Sequence, residues 1–125
     1  MTNGEGSSDP VICLADALDL VFSAIAVAER GLRSNPSVQE NRVLNEQLTD
    51  LRLKQATIQA QLDAIAAGTL TLPGPSPALV DQISLLTGQV EVLTRGATSA
   101  SAAVAFTTRV LTVATEALGS QPGLT

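Results

Sequence analysis

Histidine, tryptophan and tyrosine are absent from this chain of 125 residues, while cysteine occurs once (Cys13), lysine once (Lys54) and phenylalanine twice (Phe22 and Phe106). Each scarcity excludes something. Without histidine there is no Ser-His-Asp or Cys-His constellation and no imidazole metal ligand. One cysteine forms neither an intramolecular disulfide nor a zinc or iron–sulfur site, and a lone cysteine on a helix behaves as a small buried hydrophobe. Glycine-rich phosphate loops are missing as well: Leu72-Pro73-Gly74-Pro75 lacks the Walker spacing and the lysine that would follow it.

Charge is also sparse. Charged residues make up 15% of the chain, against roughly 25% in ordinary domains. The 7 basic and 12 acidic residues leave a net charge of −5. The arginines (Arg30, Arg33, Arg42, Arg52, Arg95, Arg109) are scattered, so no basic stripe exists for nucleic acid or an anionic membrane surface. Nucleic acid is therefore not expected as a partner. No window of about 18 residues is apolar and free of charge, so no transmembrane helix is expected. The N-terminal residues carry Glu5 and Asp9 but no basic residue, so no signal peptide is expected either. These two absences imply a cytoplasmic protein by default, with signal-less export as the other route.

What remains is aliphatic. Apolar residues amount to 45% and aromatics to 2%, a composition that folds rather than one that stays disordered. Residues 1–8 and 120–125 are expected to be tails flanking a single domain over 9–119. Three Asx/Ser-Pro pairs, Asp9-Pro10, Asn35-Pro36 and Ser76-Pro77, supply helix starts. Ser37-Val38-Gln39-Glu40 offers a capping box as another start for the second helix, and Gly68 a left-handed stop. Helices are expected over about 10–33, 36–67 and 77–118.

The apolar spacing alternates by three and four throughout. In the first helix it runs Val11, Leu14, Leu18, Val21, Ile25, Ala28 and Leu32; in the second, Leu44, Leu48, Leu51, Ile58, Leu62 and Ile65, with polar Asn41 and Gln55 in the same register. In the third it passes from Leu79 through Ile83, Leu86, Val90, Leu93, Ala97, Ala100 and Val104 to Leu118 without a slip. That continuity predicts one long third helix, with Gly96 as the point at which a split would make a fourth. The fold class expected is all-α: an elongated antiparallel bundle of three long helices.

Two of these helices have unusually wide apolar faces. The c and g rows of the first (Cys13, Leu20, Val27; Ala17, Ala24, Gly31) are apolar or small, as are those of the third (Leu85, Val92, Phe106, Val113; Gly96, Ala103, Val110). The second helix is apolar only along its narrow seam. A lone three-helix bundle leaves the surplus uncovered, which points to homo-oligomerisation or a helical protein partner. Cys13, Leu20, Val27, Leu85, Val92, Phe106 and Val113 are the candidate interface. Asp16, Asp19, Asp81, Glu91 and Glu116 fall on the solvent side, where carboxylates suit no acid–base task. No catalytic residue, metal or cofactor is expected. A second candidate site is the uncharged loop with Leu70 and Leu72, which either caps the bundle or forms an apolar insertion tip. The tip belongs to the alternative function, a membrane-active or pore-forming-type helical protein.

Overall fold

The computed structural model describes residues 9–72, 74–96 and 98–119. The expected tails at 1–8 and 120–125 lie outside the described residues. Four helices follow in order: α1 (Pro10–Leu32), α2 (Val38–Ala66), α3 (Pro77–Arg95) and α4 (Ala100–Gly119). Among the described residues there is no strand.

Local chemistry places most of the ends. The Asp9 carboxylate accepts from the N–H groups of Val11 (2.8 Å) and Ile12 (3.4 Å), with Pro10 in the first turn. For α2 the capping box takes precedence over Asn35-Pro36. The Glu40 N–H donates to Ser37 Oγ at 3.1 Å and the Ser37 N–H to Glu40 Oε1 at 2.9 Å. Asn35 instead turns the chain in a left-handed conformation, φ 57°, which asparagine tolerates. Hence α2 begins at Val38 and not at Pro36. At its other end the Gly68 N–H donates to Ile65 O and the Thr69 N–H to Ala64 O, with Gly68 at φ 78°. This paired return satisfies two of the last helical carbonyls. Ser76 caps α3 through the Leu79 N–H at 3.1 Å.

The single long third helix does not form. The chain leaves helical geometry at Gly96, which is extended (φ −136°, ψ −162°), and resumes at Ala100. Ser99 caps the new helix, accepting from the Ala102 N–H at 3.1 Å. The junction is held from the C-terminal end of α1. Arg30 donates from Nη2 to Gly96 O at 2.7 Å and from Nη1 to Thr94 O at 3.4 Å, and Ser34 donates from Oγ to Thr98 O at 2.6 Å. Thr98, itself buried, donates back to Leu93 O at 2.6 Å. One glycine costs only about 1 kcal/mol in a helix, so glycine alone does not explain the break; the packing that the break permits does.

That packing is antiparallel contact of α4 along α1, the most extensive helix pair in the fold. Gly31 near the end of α1 lies against Ala100 and Ala103 at the start of α4. At the opposite end, Pro10 and Cys13 adjoin Ala117. Helices α2 and α3 pack against this central pair and meet each other only marginally. The core is aliphatic apart from Phe106, Cys13 and the buried threonines Thr98 and Thr107. Its small residues, among them Ala17, Ala24, Ala28, Gly31, Ala103 and Ala114, draw α1 and α4 together.

By length and composition α1 is also apolar enough to cross a membrane, in spite of Asp16 and Asp19. Here it is the central helix of the bundle, and buried core helices meet the same criterion.

Candidate interaction surface

The wide faces expected to meet another chain largely meet each other. Cys13, Leu20 and Val27 on α1 and Phe106 and Val113 on α4 are all buried in the one core. The break at Gly96 is the physical reason, because it lets the C-terminal half of the expected third helix fold back along α1. On α3 the same row points outward: Leu85 is 59% exposed and Val92 70% exposed. The seven-residue spacing places these two on one face of α3, with Gly88 between them.

Leu85 also lines a groove of about 440 Å³ between α3 and α4. Its floor includes Leu86 and Val113, and its α4 rim carries Arg109, Thr112 and Glu116. A second groove, about 380 Å³, runs between α2 and α4 past Gln47, Leu111 and Thr115. Gln47 donates from Nε2 to Thr108 Oγ1 at 2.9 Å, tying the two helices together, while its own buried carbonyl oxygen has no partner.

The loop after α2 divides its two leucines. Leu72 folds onto the end of the core, joining Cys13, Leu14, Leu79 and Ala117 around a hollow of about 20 Å³, room for one water at most. Leu70 is only half-buried. The loop therefore closes the end of the bundle through Leu72.

The surroundings of Cys13, which lines that hollow, and of Asp16 on the same helix disfavour their charged forms. Burial pushes the Cys13 thiol up, and the Asp16 charge adds to it. Burial likewise raises Asp16, helped by the Asp19 charge. Asp16 is thus partly enclosed, unlike the solvent-side carboxylate expected from the heptad. A buried thiol with a raised pKa is a poor nucleophile. Among the described residues no cluster of three His, Cys, Asp or Glu is placed to hold a metal ion.

The clasp of Arg30, Ser34 and Thr98 escaped the sequence reading, since it joins residues more than sixty positions apart. Gly31 did carry a signal: small residues in the g row imply close helix approach. Comparison of the chain with family models, curated proteins and solved structures finds no match.

Proposed function

We propose that this is a non-enzymatic interaction protein that self-associates through the outer face of α3. The observation that carries the reading is the exposure of Leu85 and Val92 on one helical face, with Leu85 also lining a groove with an apolar floor. Scattered apolar residues are ordinary on a surface; two large ones in register, one of them lining a groove, are what an interface core needs. The residue inventory supports the same direction. The one thiol is buried and histidine is lacking, so the usual nucleophiles and general bases have no platform. Replacing Leu85 and Val92 together by Ser tests the surface. Self-association measured by light scattering should fall with little change in melting temperature, because neither side chain supports the core. Unchanged association in a folded double variant would remove α3 from the interface.

A second reading, membrane activity, draws on α1, which is long and apolar enough to span a bilayer. It requires α1 to leave the core. Dye release from liposomes at protein concentrations that leave the fold intact in solution would support it, and its absence would count against it.

A further inference from the structure

We propose that the groove between α3 and α4 binds a medium-chain carboxylate, a fatty-acid anion whose headgroup sits on Arg109 and whose tail lies over Leu86 and Val113. This goes beyond the self-association reading and does not depend on it. The first observation is an unspent cation. Arg30 is held by backbone carbonyls, and Arg52, Lys54 and Arg95 face Glu29, Asp50 and Glu91. Arg109 makes neither an ion pair nor a side-chain hydrogen bond among the described residues. What sets it apart is its place on a groove of about 440 Å³ whose floor, Leu86 and Val113, is apolar and buried. A guanidinium presents two parallel N–H donors, the geometry of a carboxylate.

The second observation concerns how much negative charge the groove accepts. Thr108 and Thr112 spend their hydroxyl protons on Val104 O (2.8 Å) and Thr108 O (3.0 Å), so neither has a proton left for a further anionic oxygen. Glu116 lines the same groove, about 10 Å from Arg109 along the helix axis. One donor fork with a carboxylate two turns away suits a single negative charge, whereas a phosphate dianion would meet one cation and a repelling anion. The groove has no aromatic lining, so a planar ring finds nothing to stack on.

The third observation is length. Gln82 and Glu116 close the apolar stretch with polar groups toward the end of the bundle where Leu79 meets Ala117. The stretch from Arg109 to that end, roughly 10 Å, is the length of an extended chain of about eight carbons. A tail laid there also takes part of Leu85, which lines the groove, out of water. A methylene wholly removed from water strengthens binding about fourfold. The groove is open on one side, so the gain expected is about twofold per methylene, ending where the apolar stretch ends.

The test is a titration of octanoate into the full chain, isotopically labelled and held at a concentration where it is monomeric, followed by the NMR shifts of its amides. The expected result is saturable shifts confined to 82–86 and 108–116, with a Kd of about 0.1–1 mM. Octanol, with the same tail and no charge, should bind about tenfold more weakly, and octylamine no better than octanol. Arg109→Gln changes an exposed side chain. It should weaken octanoate about tenfold and leave octanol unaltered, with Arg109→Lys falling between because it keeps the charge and loses the fork. Affinity should rise from hexanoate to octanoate and gain nothing beyond decanoate. Shifts scattered over the bundle, an Arg109→Gln chain that binds octanoate as the native chain does, or octylamine equal to octanoate would each overturn the proposal, and none of them bears on self-association.

Discussion

Thr107 sits fully enclosed on α4, and its hydroxyl has no partner. Other threonines here do return a bond to the carbonyl four residues back, as Thr108 does to Val104 O at 2.8 Å and Thr87 to Ile83 O at 2.8 Å. An orphaned buried hydroxyl opposes folding, so Thr107→Val should stabilise the protein by about 1 kcal/mol in urea unfolding. Asp16 opposes folding in a different way. Its folded-state pKa lies above the ordinary value of 3.8 because burial and the Asp19 charge disfavour the anion. The favourable contribution of such a group is complete below its unfolded-state pKa and is lost as pH rises through the folded-state value. At neutral pH the ionised carboxylate therefore weakens the fold. Asp16→Asn should be more stable than the native protein at pH 7, with the difference vanishing once the pH is well below 3.8. Equal stability at both pH values would contradict the assigned enclosure.

At the scale of elements the fold depends on how closely α1 and α4 approach. A methyl group built on Gly31 would stand 2.6 Å from the Ala103 methyl and 3.2 Å from a Leu44 methyl. Ala103 cannot rotate away, so the helices must separate. Gly31→Ala should cost about 1–3 kcal/mol, read as a lowered melting temperature; a melting temperature equal to the native one would show that the contact is loose. The helices themselves were legible in the sequence, because their ends are written in local chemistry: Asp9-Pro10, the Ser37/Glu40 box, Gly68 and Ser76-Pro77. The break between α3 and α4 was not legible in the same way. Its apolar register continues as though no break existed, and what holds it open comes from Arg30 and Ser34 on a distant helix. Ser99 was a usable cap, but a serine inside a long periodic run carries little weight against that register.

For the whole molecule, the wide apolar rows of the sequence divide between the inside and the outside of one chain. Cys13, Leu20, Val27, Phe106 and Val113 are covered within the chain because the third helical segment is two helices. Leu85 and Val92, from the same row, are left outside. Periodicity shows which residues share a stripe, but not where the chain folds back to bury half of it. The loop was resolvable in part: Leu72 closes the core end, whereas Leu70 stays half-exposed.

We propose that a second copy binds at this uncovered remainder, Leu85 and Val92 on α3. Sedimentation velocity of the native protein across the micromolar range tests it most directly. Binding of a second copy requires a mass that rises with concentration from monomer toward dimer, and a monomer mass that never changes would contradict it.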